Sequence, residues 1–130
     1  MSKVITQKVT FKATPAEVYS AFMDSKKHSA FTGVNAKIGK KVGDSFTAHD
    51  DYISGVNVAL IPNKKIVQLW HCTDWEENEY SVIILRLAPK GKGCELEFTH
   101  VNVPTKHVKD IEQGWKDYYW KPMKAMLENK

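Results

Sequence analysis

The stretch GWKDYYWKPMK, residues 114–124, limits the fold more than any other part of the chain. Four of the six positions from Trp115 to Trp120 are aromatic, and Pro122 follows two residues later. Upstream, Thr105 follows Pro104 and is a good N-cap. The pattern predicts a helix over 105–127, spanning roughly 33 Å. At about 100° per residue, Val108, Ile111, Trp115, Tyr118, Tyr119, Pro122 and Met126 share one arc, with Met123 beside it. Trp120 falls at the edge of that arc. The opposite arc carries the oppositely charged pairs Lys106–Asp110, Asp117–Lys121 and Lys124–Glu128, each four residues apart. Pro122 removes a helical hydrogen bond and crowds the Tyr118 carbonyl, so a bend is expected there. Gly114 is a weak helix former and reads as a point of close backbone approach.

A polar face balanced in charge excludes a nucleic-acid or membrane-surface helix, which would be one-sidedly basic. The aromatic arc must therefore be buried in protein. Each ring covers roughly 150–250 Å². At ~25 cal/mol per Å², burial stabilises by at most about 4–6 kcal/mol per ring. Only a large concave surface can receive several such rings.

The upstream chain supplies one. Residues 4–13 alternate, with Ile5, Val9 and Phe11 on one side. TPAEVYSAFMD then combines a Thr14 cap, Pro15 at the first helical position and a capping box closed by Glu17. A second short helix is expected over 24–31, before Gly33. DSFTAH, DYISGVNVALI, KIVQLWHC, YSVIILRLA and CELEFTHV follow at hairpin spacing, which predicts an antiparallel meander. In 66–72 the set Ile66, Gln68 and Trp70 competes with Val67, Leu69 and His71 for the inward face; the Trp70 face is favoured.

The fold class expected is α+β, with two short helices after the first strand and a curved antiparallel sheet wrapped around a long C-terminal helix. The 130 residues read as a single domain, 1–130, without linker or repeat. The net charge of +4 rests on 18 lysines and one arginine, Arg86. Arginine is the preferred group for phosphate and base edges, so this balance speaks for a solvated surface and against a nucleic-acid partner. No stretch has the ~20 apolar residues of a membrane span. MSKVITQKVTF lacks the apolar run of a signal peptide, and Cys72 and Cys94 form no C-x-x-C pair. A reducing, cytoplasmic setting with free thiols is expected.

The order of elements resembles the START-like (SRPBCC) helix-grip superfamily. Within it, ATPAEVYSAFMD, the AFTG near 30–33, LIPNKKIVQLWH, THVNVP and GWKDYYWKPMK resemble the activators of the 90-kDa heat-shock protein ATPase, in their stand-alone form. The resemblance runs from about residue 5 to 127. It implies a chaperone-associated interaction module without catalytic residues. Eukaryotic members carry a further N-terminal domain that makes much of the chaperone contact. Asn102 stands where many members have glycine.

Many superfamily members hold apolar molecules between sheet and helix. The expected lining here is Trp115 and Tyr119 from the helix, Phe98 and His100 from the last strand, and Trp70, Phe46 and Leu85 from the others. Gln68, His100 and the Tyr119 hydroxyl would orient a small hydrophobic ligand. A filled aromatic core with satisfied polar tips is the competing arrangement. A cyclase-like enzyme is a third reading, with Tyr119 and His100 as its acid–base pair. Trp75, in the acidic loop with Asp74, Glu76, Glu77 and Glu79, reads either as an anchor over the sheet edge or as a contact for a protein partner. No cofactor fingerprint, metal-ligand spacing or nucleophile–base motif is found.

Overall fold

The computed structural model describes residues 2–128. Strand β1 (Ser2–Phe11) buries Ile5 and Phe11, with Val9 partly buried beside them, as alternation requires. Helix α1 (Pro15–Met23) opens on the capping box: the Glu17 N–H donates to Thr14 Oγ1 at 3.1 Å, and the Thr14 N–H donates to Glu17 Oε1 at 3.0 Å. Helix α2 (Ser25–Thr32) is capped by Asp24 and ends at Gly33, whose φ of 75° favours glycine.

Six strands follow: β2 (Lys37–Ile38), β3 (Ser45–Ala48), β4 (Ile53–Ile61), β5 (Lys65–Cys72), β6 (Ser81–Lys90) and β7 (Gly93–Pro104). They form one seven-stranded sheet in the order β1-β7-β6-β5-β4-β3-β2, antiparallel throughout. The first strand thus pairs with the last. On β5 the inward set is Ile66, Gln68, Trp70 and Cys72, the face favoured from the sequence. Asn102 has a φ of 66°, a region asparagine tolerates, and its amide donates to the Tyr80 carbonyl at 2.6 Å.

After β7 the chain enters a 3-10 turn (Thr105–His107) with Pro104 at the N-cap position, then helix α3 (Val108–Gly114). A wide π turn spans Trp115–Trp120, where the Lys121 N–H donates to the Lys116 carbonyl, five residues back. Helix α4 (Lys121–Glu128) follows. The curved sheet holds this segment, with α1 and α2 packed against its end: a helix-grip fold.

The π turn corrects the helical wheel. In an α-helix, residues five apart point about 140° away from each other. The i→i+5 pattern brings them onto one face. Trp115 and Trp120 accordingly stack at 5.5 Å with an interplanar angle of 17°. Trp120, expected at the edge of the arc, is buried with Trp115, Tyr119, Met123 and Leu127. Tyr118, expected inside, is 61% exposed. The turn lies immediately before Pro122, whose ring cannot donate to the preceding turn. Gly114 shows no close backbone approach: a Cβ there would meet only Tyr118 Cδ2, at 3.7 Å. Gly55 is a tight position instead, where a Cβ would collide with the Leu69 carbonyl and the Phe46 ring, and Gly39 and Gly93 are tight as well. On the polar face, Lys121 Nζ lies 4.0 Å from Asp117 Oδ1, whereas Glu128 accepts the Lys12 N–H at 2.9 Å.

Gln7 ties β1 to both sides of the wide turn. Its Oε1 accepts the Trp120 indole N–H at 2.6 Å, and its Nε2 donates to the Glu112 carbonyl at 2.9 Å. A buried indole N–H left without an acceptor costs about 1–3 kcal/mol. Gln7→Ala is expected to destabilise by that amount in urea denaturation. In a Trp120→Phe background the same change should cost measurably less, because the donor is gone.

Candidate functional site

The interior between sheet and helix is built on aromatic rings joined by neutral hydrogen bonds. His100, fully buried on β7, receives the Trp115 indole N–H on Nδ1 at 3.1 Å. Its Nε2 therefore carries the proton and donates to Ser81 Oγ at 2.7 Å. Ser81 Oγ donates onward to the Trp70 carbonyl at 2.8 Å. Both ring nitrogens are satisfied, and burial pushes the imidazole pKa down to about 3.

A second buried histidine was not singled out in the sequence. His28, on α2, lies 2.8 Å from the Phe22 carbonyl through Nδ1 and 2.9 Å from the Tyr119 hydroxyl through Nε2. The carbonyl can only accept, so Nδ1 holds the proton and Tyr119 donates to Nε2. Burial lowers His28 to about 4, against the Phe22 carbonyl, which favours the charged ring. Burial raises the Tyr119 phenol. The Tyr119 hydroxyl thus pairs with His28, and the Tyr119–His100 pair expected from the sequence is not formed. A lone histidine in a polar-looking helix carries no periodic signal that would reveal this role.

A cleft of about 300 Å³ opens beside this interior, between α3, the π turn and the sheet. Trp70, Trp115 and Tyr119, three of the residues singled out from the sequence, line it. The remaining lining comes from His49, Tyr52 and Ile53 at the β3–β4 turn, and from Asp110, Ile111, Gly114 and Tyr118 on the helical segment. Sequence reasoning missed these. His49 and Asp50 hold left-handed φ values of 51° and 58°. The direction this turn gives the chain is invisible to a strand pattern. Burial lowers the His49 pKa, opposed by Asp50. Tyr52 donates to Asp74 Oδ1 at 2.8 Å.

The other expected lining residues lie elsewhere. Phe98 and Leu85 are cross-strand partners in the sheet floor, and Phe98 packs under Trp115 at 4.5 Å and Trp120 at 5.1 Å. Gln68 is buried and donates to Asn57 Oδ1 at 3.0 Å. Asn57 Nδ2 donates in turn to the Gly39 and Lys41 carbonyls. This closes the polar end of the sheet rather than facing a ligand. Phe46 is buried near β2, beside a separate shallow groove with Ser25 and Ile38. Trp75 is 5% exposed: it meets Trp70 at 5.6 Å and stacks on His107 at 5.9 Å, so it anchors the acidic loop and offers no open side chain to a partner. Among the described residues, no group of His, Cys, Asp or Glu could hold a metal ion, and no helix is long and apolar enough to cross a membrane.

A second surface lies on the opposite side of the sheet. Its outward rows are Val56–Leu69–Val82–Val101 and Ala59–Val67–Ile84–Thr99, each running across β4, β5, β6 and β7. A solvated antiparallel face ordinarily alternates to polar residues. Here Val56 is 36% exposed, Val58 at the bulge between the two rows is 49% exposed, and the other members of the rows are partly exposed. Strand β5 was ambiguous in the sequence because both of its faces are apolar.

Comparison with known proteins places the chain. The family described as "Activator of Hsp90 ATPase homolog 1-like protein" matches residues 12–128. The chain belongs to this family. The human "Activator of 90 kDa heat shock protein ATPase homolog 1" is 32% identical over 120 residues, covering 92% of this chain and 36% of its own length. The Dictyostelium discoideum homologue is 28% identical over 116 residues, 88% of this chain and 30% of its own. The chain therefore spans about a third of the length of these curated relatives. An HSP90 activator from Plasmodium falciparum superposes with a TM-score of 0.87 at 26% identity, covering 98% of this chain and 96% of its own. Aha1 from Colwellia psychrerythraea, solved as a dimer, shares the fold with a TM-score of 0.84 at 19% identity, covering 97% and 96%.

The two neutral histidines of this activator-family domain fix a pH dependence. An unfolded imidazole titrates near ~6.5. Native values of about 4 and about 3 mean that between these limits the unfolded chain binds more protons. Stability from both rings is full above pH ~6.5 and is lost as pH falls toward the native values. Near pH 5, these two rings should together take up about two protons from solvent on unfolding. Urea midpoints measured between about pH 4.5 and 7 test this; a midpoint independent of pH would remove the neutral-ring assignment.

Proposed function

We propose that this chain is a non-enzymatic, chaperone-associated interaction module that docks on a 90-kDa heat-shock ATPase through the outer face of β4–β7. The observation that carries the reading is that face: two adjoining, mostly apolar rows that remain partly exposed in a member of an ATPase-activator family. Exposed apolar surface of this extent is characteristic of protein contact sites. The interior supports a structural role, because the polar groups of His28, His100, Trp115 and Tyr119 are all hydrogen-bonded within it. Titration of the protein into the heat-shock ATPase of the same cell should change ATP turnover. Val58→Lys, at an exposed position, should weaken the effect at least fivefold while leaving the thermal midpoint within a few degrees. Unchanged turnover at saturating protein would overturn the proposal.

The cleft favours a second reading, a carrier or sensor of a small hydrophobic ligand. Its volume of about 300 Å³ reaches the lower end of ligand sites, commonly ~300–1,000 Å³. Gly114 has helical backbone angles and lines the cleft with free space around its Cα, so Gly114→Leu should fill it without disturbing the core. Ligand-induced NMR shifts at Trp115 and Tyr119 should appear in the natural protein and vanish in this variant. Shifts confined to the surface, or equal in both proteins, would count against a cleft ligand.

A further inference from the structure

The charge carried by the cleft's lining runs opposite to that of the molecule. The chain as a whole carries +4. Yet none of the cleft's lining residues is a lysine or arginine. Its ionisable groups are Asp110, His49 and the phenols of Tyr52, Tyr118 and Tyr119. Burial favours the uncharged form of His49, and the Tyr119 hydroxyl is bound to His28. Asp110 is solvent-exposed at the mouth and forms no ion pair among the described residues. Outside the lining the charges are mixed: Asp50 neighbours His49 and Asp74 accepts from Tyr52 at 2.8 Å, while Lys109 and Lys116 are the exposed chain neighbours of Asp110 and Trp115.

The walls are aromatic. Trp70 and Trp115 lie 5.5 Å apart, Trp115 and Tyr119 4.6 Å apart, and His49 meets Tyr118 at 6.2 Å. Aromatic faces attract cations through their quadrupole, most strongly in tryptophan. An anionic ligand, such as a fatty-acid carboxylate, would find no counter-charge here and would meet repulsion from Asp110. A cationic one gains from both features.

We infer that the cleft takes an organic amine: a compact apolar or aromatic body seated against Trp70, Trp115 and Tyr119, with its ammonium directed to Asp110 at the mouth. The inference rests on the carrier reading of the same cleft and narrows it to a ligand class. Because Asp110 sits at the solvent edge, it acts by charge preference over a site whose apolar walls bind the body.

A matched trio of probes tests the point: 1-naphthylmethylamine, 1-naphthalenemethanol and 1-naphthoate, which share one ring system and differ in charge at neutral pH. Binding is followed by calorimetry and by NMR shifts of the Trp70 and Trp115 indole groups, at low and high salt. The amine is expected to bind at least tenfold more tightly than the carboxylate and several-fold more tightly than the alcohol, with the preference shrinking as salt rises. Asp110→Asn should weaken the amine several-fold toward the affinity of the alcohol and leave the alcohol unchanged. Gly114→Leu should abolish binding of all three. Equal binding of the trio, or an amine preference undiminished by Asp110→Asn, would overturn the charge assignment while leaving the carrier reading in place. Failure of all three probes to shift the cleft resonances at millimolar concentration would remove both.

Discussion

The structure depends on one departure from regular helix, the wide turn over Trp115–Trp120. An unbroken α-helix would place Trp120 on a different face from Trp115, and the curved sheet could receive only one of them. The i→i+5 turn stacks the two indoles, and Phe98 supports both from the sheet. The same turn rotates Tyr118 outward, where it becomes part of the cleft rim. Core and cleft are therefore products of one local change in helical pitch.

The buried polar groups follow from that packing. Each indole brings an N–H into the interior, and each needs an acceptor. His100 serves Trp115 and Gln7 serves Trp120, while His28 receives the Tyr119 hydroxyl. These acceptors must stay neutral, because a charged imidazole at this depth would lose its hydration without a counter-ion. A general acid or base needs a group poised near neutral pH and reachable by substrate. His28 and His100 are held neutral and enclosed by the packing, so their hydrogen bonds serve the fold.

The sequence was informative where periodicity decides structure. The alternation in β1 and β7, the Thr14–Glu17 capping box and the inward face of β5 are all readable, because each repeats a pattern over several residues. The aromatic block correctly implied a concave sheet partner. It misplaced Trp120 and Tyr118, because a wheel assumes a constant angle per residue. The site was legible in part: Trp70, Trp115 and Tyr119 line the cleft, but His49, Tyr52 and Asp110 reach it through a left-handed turn and a helix start that no periodic pattern encodes. Gln68 and Phe98 illustrate the opposite limit. Being inward-facing is visible in a sequence, whereas facing a void rather than a neighbour is decided only by packing.

The cleft and the outer face share strand β5 yet stand on opposite sides of it. Trp70 points into the cleft, and its chain neighbour Leu69 points out into the apolar rows. Coupling between them would require an element with two arrangements, each preferred by one occupant. The intervening interior has a single hydrogen-bonded arrangement, in which rotating His100 or Trp115 would strand Ser81 or an indole N–H. A ligand in the cleft and a partner on the outer face are therefore expected to bind independently, and the two surfaces can be altered one at a time. Were they found to be coupled, the movable element would have to lie outside this hydrogen-bonded network, and the β3–β4 turn, whose His49 lines the cleft, is the segment to follow.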